Sequence, residues 1–333
     1  MYKESRKRNR CLNLLKGVAC IGVVLIHIQF PGVTGLVVEK MSRFAVPLFL
    51  MIAGFYAYNC DECTAKKRLQ KIFKIFVIGY LVYFAWYFGM ALLKGEGLEY
   101  LSLNYNWKTI VNIVVFCSPN PLPGHLWYLI AMIEVYMLWY FIVKVGREKL
   151  FLPLIPLLFL LQVGLTIFCD FKGLFWSYKI NFILSGLPYF LMGYYIRSKD
   201  SLPRIKNKWL FVTILFCIPM ILLSSITDFY INYSCIFLIP YSIAIFLLGV
   251  KNPDRSASKF LEYIGEKLSL FVYIFHILIS SVYGLLARCL FHVDLESELY
   301  QWTKPLLVIS FSIFTAFVVN KIQTIVCNRG MKS

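Results

Sequence analysis

The sequence predicts an all-α polytopic membrane protein with about ten transmembrane helices and both termini in the cytoplasm. Hydrophobic residues make up 59% of the 333 residues, whereas soluble domains contain about 45–50%. Charged residues make up 15%, where about 25% is usual, and the mean hydropathy is +0.70. So much apolar surface needs contact with lipid, which excludes a soluble domain, a disordered chain and a small disulfide scaffold.

Ten apolar runs approach the length of about 20 residues that a helix needs to cross the bilayer. We expect a single membrane domain over residues 1–333, with spans at about 12–30, 43–59, 72–93, 125–144, 151–169, 180–196, 209–226, 232–250, 268–290 and 304–326. The first run follows a basic stretch, as the apolar part of a signal peptide does. Because no small-residue cleavage site follows it, we expect this run to remain as a span.

The distribution of basic residues predicts the orientation of the spans. The segments on the same side as the N-terminus hold 26 of the 34 Lys and Arg residues. Cytoplasmic loops collect basic residues, so an even number of spans places both termini in the cytoplasm. The net charge of +17 then follows mainly from topology, and no nucleic-acid partner is needed to explain it.

Metal and cysteine chemistry receive little support from the sequence. Cys60 and Cys63 form a C-x-x-C pair, but a zinc site would need a second pair of ligands. Most of the ten cysteines lie in or beside apolar runs, where cysteine behaves as a small hydrophobic residue. We therefore expect no metal, and the sequence contains no Walker A loop or H-E-x-x-H motif.

Polar residues form a stripe along one face of the first span. Lys16 and His27 are eleven residues apart, so a helix brings their side chains to within about 20° of each other. Their axial separation is about 16 Å, and Asn13 and Cys20 lie close to the same line. Ionisable side chains inside a bilayer are costly and are therefore functional candidates. The stripe predicts a helix that lines a path from the cytosol into the membrane.

Two further spans carry polar candidates. Glu134 lies within the fourth span, where a carboxyl group is either neutral or paired with a cation. His276 lies on the ninth span, about 12 Å from its predicted cytosolic end. His125 opens the fourth span at the outer surface, followed by Trp127 and Tyr128, which also suit the aromatic belt of a membrane interface.

Four segments form a specific combination. The first span begins with a basic residue, ten intervening positions and a histidine, from Lys16 to His27. Residues 46–55 read V-P-L-F-L-M-I-A-G-F, residues 125–129 read H-L-W-Y-L, and residues 273–276 read Y-I-F-H. In this order, and over nearly the whole chain, these segments resemble the acyltransferase 3 family of integral membrane acyltransferases, in the branch with an H-L-W-F/Y-L motif.

Several residues depart from the pattern of that family. Lys16 stands where arginine is usual, and lysine cannot make the planar bidentate contact of a guanidinium group. Ala53 replaces a serine, and Asn13 stands where aspartate is common. Glu134 is two positions away from a glutamate of another branch, so the role of that glutamate is not transferred to it.

The resemblance implies an acetyl-CoA-dependent O-acetyltransferase. Such an enzyme moves an acetyl or longer acyl group from cytosolic coenzyme A to a cell-surface polysaccharide or another envelope glycan. We expect it in the lipid bilayer of a bacterial plasma membrane, with the coenzyme A thioester and the extracytoplasmic glycan as its partners. The expected catalytic residues are Arg43, Glu134 and His27, the last as base or transient acyl carrier. The residues expected to bind the coenzyme are Lys16, Asn13, Arg68 and His276. The residues expected to bind the acceptor are His125, Trp127 and Tyr128.

Two other functions remain open. A multi-span exporter or flippase of a polysaccharide or lipid-linked intermediate would use the same polar stripe. Transporters often contain inverted repeats, and matched halves are not visible in this sequence. A sensor or scaffold would leave the intramembrane histidine, lysine and glutamate unexplained. Dependence on acetyl-CoA separates the acyltransferase from the exporter.

Overall fold

The computed structural model describes residues 9–174, 178–199, 205–226 and 234–330, without the side chains of 224–226 and 327–330. Over these residues the chain is helical and contains no strand. The helices are α1 (Arg10–His27), α2 (Gly32–Ser42), α3 (Ala45–Ala57), α4 (Glu62–Leu93), α5 (Gly97–Asn104), α6 (Trp107–Phe116), α7 (Trp127–Val145), α8 (Leu154–Phe171), α9 (Leu187–Ser198), α10 (Asn207–Ile226), α11 (Ser234–Lys251), α12 (Lys259–Tyr263), α13 (Ser269–Cys289) and α14 (Glu298–Gly330).

Within the described ranges, seven segments are long and apolar enough to cross a membrane. They are Arg10–His27, Glu62–Leu93, Gly124–Val145, Glu148–Phe171, Ser234–Lys251, Lys259–Cys289 and Glu298–Val326. The three other predicted spans correspond to α3, α9 and α10, and residues 232 and 233 of a predicted span lie outside the described residues. The all-α polytopic membrane class is confirmed, whereas ten spans and cytoplasmic termini stay predictions.

Three helices lie where the sequence indicated outer loops. They are α2, which follows the first span, and α5 and α6, which together occupy most of the predicted external loop 95–124. None of the three is long enough to cross a bilayer, which needs about 20 residues. Hydropathy over a span-length window therefore could not detect them.

The described residues fall into two compact units. The first comprises the described parts of 1–49, 203–226 and 237–333, and the second those of 50–202 and 227–236. In the first unit, one face of α1 packs against the helices near the C-terminus. The buried residues of that core are Cys20, Val24, Ile28, Ile264, Leu268, Val272, Val308 and Ala316.

The second unit is built around the close approach of α3 and α9. A Cβ atom on Gly54 would collide with the carbonyl oxygen of Phe190, and one on Gly193 would collide with that of Met51. Small residues at such contacts let helix backbones pack directly, as is common in membrane proteins. Beside this contact, the ring centroid of Trp139 lies 5.2 Å from that of Phe190.

Candidate active site

Two of the predicted site residues, His27 and His276, contact each other in the first unit. His27 is the last residue of α1, and His276 lies in α13. Their ring centroids are 5.4 Å apart and the ring planes are inclined by 35°. His276 is fully buried, whereas His27 is exposed. We call these residues the histidine pair; the sequence analysis had assigned one to catalysis and the other to coenzyme binding.

The helix that carries His276 begins earlier than the span predicted for that residue. The helical segment begins at Lys259, nine residues before the predicted start, and its N-cap Ser258 accepts a hydrogen bond from the Leu261 amide. A π-helical turn then joins α12 to α13 without a break. His276 is therefore about 26 Å from the start of its helix, as His27 is from the start of α1. Charged residues interrupt the apolar run in this segment but do not interrupt the helix.

The helices that carry the histidine pair run parallel and in register. The α1 backbone and the Cβ of Lys16 lie directly over Gly265. One turn further on, the Cys20 thiol lies 3.6 Å from the carbonyl oxygen of Ser269. The two residues of each contact are 249 positions apart in the chain, and so are the two residues of the histidine pair. A constant separation means that the two helices advance together toward the histidine pair.

The start of α1 is held by polar contacts within the same unit. The side chain of Asn9 accepts a hydrogen bond from the Leu12 amide at 2.8 Å and donates one to the Gly249 carbonyl at 3.1 Å. Arg10 pairs with Glu262 at 3.2 Å between Nε and Oε2. An N-cap satisfies donors that the first helical turn leaves unpaired, so both the beginning and the direction of α1 are defined.

The polar stripe of α1 faces the helices α12 and α13. Asn13 and Lys16 are half-buried, and Cys20 is buried. The sequence predicted that this face lines an open path. At Cys20 the face instead forms a packed contact between helices, because the Cys20 thiol lies against the backbone of α13. The periodicity of the sequence predicts this face correctly but does not predict which helices cover it.

Helix α2 returns along the end of α1. A Cβ atom on Gly22 would lie 3.3 Å from the Cβ of Ser42, at the end of α2. Near the other end, a Cβ on Gly35 would collide with the carbonyl oxygen of Phe30. The residues between these contacts therefore lie beside the last turns of α1, and they are helical where the sequence predicted a loop.

A buried carboxylate on α2, Glu39, is a site residue that the sequence analysis missed. It is 5% exposed and accepts a hydrogen bond from Nε of Arg43 at 2.5 Å, while Nζ of Lys40 lies 3.5 Å away. Its charge acts electrostatically on His27. The signal that could have identified Glu39 is its spacing of four from Arg43, which is typical of an ion pair on a helix.

Arg43 lies in the turn between α2 and α3, two residues before α3 begins. It is the C-cap of α2, adjacent to Ser42 and so beside Gly22, which is five residues before the end of α1. Its guanidinium group reaches back along α2 to Glu39. Arg43 therefore belongs, through Glu39, to the neighbourhood of His27.

In the second unit, His125 lies in the interior. It is 2% exposed, and its ring packs edge-on against Tyr83 with the centroids 5.3 Å apart. Trp127 and Tyr128 follow it at the start of α7 and are half-buried. The ring of His125 therefore lies inside this unit, next to the start of α7.

Glu134 has a thiol partner within the part of the chain that the structure describes. Cys117, at the end of α6, donates a hydrogen bond from Sγ to Oε2 of Glu134 at 3.0 Å. Burial, and after it the neighbouring Glu134, raises the pKa of the Cys117 thiol above its usual value. The sulfur therefore keeps its proton and acts as the donor. The sequence analysis allowed for a neutral or cation-paired carboxyl and did not foresee this contact.

Arg68 lies near the start of α4, among exposed lysines. Its guanidinium group donates a hydrogen bond to the Tyr56 carbonyl at 2.6 Å. This contact orients the side chain at the C-terminal end of α3, where carbonyl groups lack helical partners. Lys66, Lys67 and Lys71 on the same turns are exposed.

The structure thus brings some predicted residues together and separates others into different units. The first unit holds His27, His276, Lys16, Asn13 and Arg43; the second holds Arg68, His125, Trp127, Tyr128 and Glu134. Among the described residues, no group of three His, Cys, Asp or Glu side chains could hold a metal ion.

Comparison with known proteins gives one match. No curated protein and no solved structure shows a significant similarity to the chain. A family model described as an acyltransferase domain, that of the acyltransferase 3 family, matches residues 9–320. The matched range contains every predicted site residue, from Asn13 to His276. Because the match covers far more than half of the sequence, the chain belongs to the acyltransferase 3 family.

Proposed function

We propose that this membrane acyltransferase moves an acetyl group from cytosolic acetyl-CoA to a hydroxyl group of an extracytoplasmic glycan, in the plasma membrane of a bacterium. Membership of the family supports acyl transfer in general. The observation that supports a catalytic centre on α1 is the histidine pair, together with the Glu39–Arg43 ion pair of α2, the helix that packs along the end of α1. These four side chains offer a base, a cation and two groups that can orient them.

In this proposal, His27 acts as the general base. Its imidazole takes the proton from the acceptor hydroxyl while the oxygen attacks the thioester carbonyl carbon. The tetrahedral intermediate then collapses, the carbon–sulfur bond breaks, and the coenzyme A sulfur leaves with the proton from the imidazolium. Histidine is suited to both steps because an imidazole can take up and release a proton near neutral pH. Attack by the imidazole itself, which gives an acyl-His27, is the alternative route.

Arg43 would stabilise the negative charge that develops on the thioester oxygen. A guanidinium group has five N–H donors in a fixed plane, and the contact with Glu39 uses the Nε donor. The remaining donors are available to an oxyanion, and preorganised donors of this kind are often the largest contribution to catalysis. Glu39 would hold the guanidinium group in place.

The coenzyme would contact the polar stripe of α1 in the first unit, and the cations of α4 in the second unit are candidates for its phosphate groups. Lys16 and Asn13 are half-buried on the face of α1 that leads to the histidine pair. Arg68 and the exposed lysines near the start of α4 have the charge that binding of phosphate groups requires. Trp127 and Tyr128, half-buried at the start of α7, would contact the acceptor sugar.

The test is acetyl-CoA binding and turnover by the full chain in detergent, with release of the coenzyme A thiol as the readout. We expect His27→Asn to lower turnover by about 10²–10⁴-fold, the usual contribution of a general base, and Lys16→Ala to weaken binding of acetyl-CoA. The matched control is His292→Asn, at an exposed histidine with a φ of 49° that asparagine also adopts readily.

The acceptor is tested in cells that carry the chain in place of the native copy. Acetate released by mild base from the purified envelope glycan should be lost in His27→Asn and retained in His292→Asn. Wild-type glycan acetylation and turnover in His27→Asn would contradict the role of His27. If the wild type does not bind acetyl-CoA, the proposal of an acetyl-CoA-dependent acyltransferase is wrong. Export of glycan intermediates then becomes the favoured function.

A further inference from the structure

The ring nitrogens of His276 have different roles in the structure. Nδ1 lies 2.8 Å from the carbonyl oxygen of Tyr273 and 3.2 Å from that of Val272. A carbonyl oxygen only accepts hydrogen bonds, so Nδ1 must carry the proton. In a neutral imidazole protonated at Nδ1, Nε2 has a lone pair and is an acceptor. This assignment follows from the hydrogen-bond geometry.

The surroundings of His276 hold its ring in one orientation. The residue is 0% exposed, and both carbonyl partners belong to its own helix, one turn earlier. The neighbouring ring is His27, with the centroids 5.4 Å apart. The structure shows this ring contact without a hydrogen bond from His27 to Nε2 of His276. At a separation of 5.4 Å, rotation of the exposed His27 ring can bring one of its nitrogens to about 3 Å from Nε2.

We propose that His276 is a positioning residue for His27, whose ring turns to donate a hydrogen bond to Nε2 of His276. This inference rests on the proposed function of His27 as the base. The bond would fix the tautomer of His27, so that its other nitrogen carries the lone pair that takes the acceptor proton. The carboxylate of a Ser-His-Asp triad performs the same task for its histidine, and here a neutral imidazole performs it.

The proton count is consistent through the reaction. Neutral His27 has one N–H, which it donates to His276, and one lone pair. When it takes the hydroxyl proton it becomes an imidazolium with two N–H groups, one of them still directed at Nε2 of His276. When the coenzyme A sulfur leaves with the proton, His27 returns to the starting tautomer. His276 keeps its Nδ1 proton on the backbone carbonyls throughout.

The framework below the pair supports a precise arrangement. The contacts of Lys16 over Gly265 and of Cys20 with Ser269 set the register of the two helices. Orientation of a general base requires an accuracy of about 0.5 Å, which close backbone contact between helices can provide. A histidine that only bound the coenzyme would not need this register with His27.

Two substitutions separate positioning from packing. His276→Asn keeps a side-chain amide close to the position of Nδ1, which can still donate to the Tyr273 carbonyl, but has no atom at the position of Nε2. His276→Gln reaches that position with an oxygen or nitrogen. We expect His276→Asn to lower kcat at least tenfold with little change in the KM for acetyl-CoA, and His276→Gln to recover part of the loss.

The ¹⁵N spectrum of histidine-labelled protein provides a readout that does not depend on turnover. We expect one tautomer of His27 in the wild type and an equilibrium of two tautomers in His276→Asn. In the double variant with His27→Asn, the second substitution should add no further loss, because His276 acts through His27. A purely structural role would instead lower the thermal unfolding midpoint of both His276 variants equally and leave the His27 tautomer unchanged.

The outcomes are distinguishable from failure of the proposed function. If His27→Asn abolishes turnover while His276→Asn has the wild-type kcat, the positioning role is wrong and the base role stands. If His276→Asn raises only the KM for acetyl-CoA, His276 is a coenzyme-binding residue. If His27→Asn is fully active, the proposed function itself is wrong, and an unchanged tautomer in the spectrum would overturn the positioning role as well.

Discussion

Replacing Gly265 by alanine tests how far the candidate site depends on the helix contact beneath it. Gly265 lies in the π-helical turn, eleven residues before His276. A Cβ atom there would collide with the carbonyl oxygen of Asn13 and would lie 2.6 Å from the Gly17 nitrogen and 2.9 Å from the Lys16 Cβ. Two of these partners are backbone atoms, which cannot rotate away as the end of a side chain can.

The size of the effect follows from these distances. Carbon atoms in ordinary contact are about 3.5–4.0 Å apart, so the two helices must separate locally by about 1 Å. Overpacking of this kind costs about 1–3 kcal/mol. A displacement of about 1 Å at the reacting groups can lower a rate by about 10²-fold. Because the same helices carry the histidine pair, we expect losses of about this size in both the free energy of unfolding and turnover.

The matched control is Gly89→Ala in α4, where a new Cβ has no atom within 4 Å. In a helix with open space, alanine is more favourable than glycine by about 0.5–1 kcal/mol. Thermal unfolding and release of coenzyme A are measured for both variants in the same detergent. If Gly265→Ala resembles Gly89→Ala in both measurements, α1 and the π-helical turn are not packed as described, and the reasoning fails.

Two other contacts give predictions that can be checked with the same measurements. Glu39→Gln removes the charge that holds Arg43. Because the Arg43 side chain is 42% exposed, we expect the free energy of unfolding to fall by only about 1 kcal/mol. We expect a clear fall in kcat, with partial recovery in Glu39→Asp. Unchanged kcat in Glu39→Gln would show that Arg43 needs no such support. Cys117→Ala leaves the buried Glu134 without its donor, so we expect a lower unfolding midpoint and a loss of about 1–3 kcal/mol. Cys117→Ser keeps a donor and should restore stability; equal losses in both variants would mean that packing of the sulfur matters instead.

Local features of the chain were predicted well from the sequence. The apolar run predicted at 12–30 corresponds to α1, and that at 304–326 lies within α14, because the length of an apolar run depends only on neighbouring residues. The face of α1 that carries Lys16 and His27 was also predicted, since helical periodicity decides which side chains share a face. The helix that contains His276 was recognised, but its beginning at Lys259 was not, because charged residues in its first turns resemble a loop.

The surroundings of Glu39 illustrate the limit of local reasoning. The residue lies in an eleven-residue helix with a mixture of apolar and charged side chains, which hydropathy cannot distinguish from a loop. Its burial results from the return of α2 along α1, where Gly22 allows close approach to Ser42. Only this packing turns an ion pair of ordinary helical spacing into a buried one beside His27.

The membrane location, the polar face of the first helix and, through the combined motifs, the acyltransferase 3 family could all be predicted from the amino-acid sequence. Hydropathy and periodicity are properties of contiguous residues, so no tertiary contact was needed for them. The contact between His276 and His27 could be found only in the folded structure, because the two residues are 249 positions apart in the chain. Their contact arises from the parallel packing of two helices across Gly265, and no local pattern specifies which helices meet or in which register.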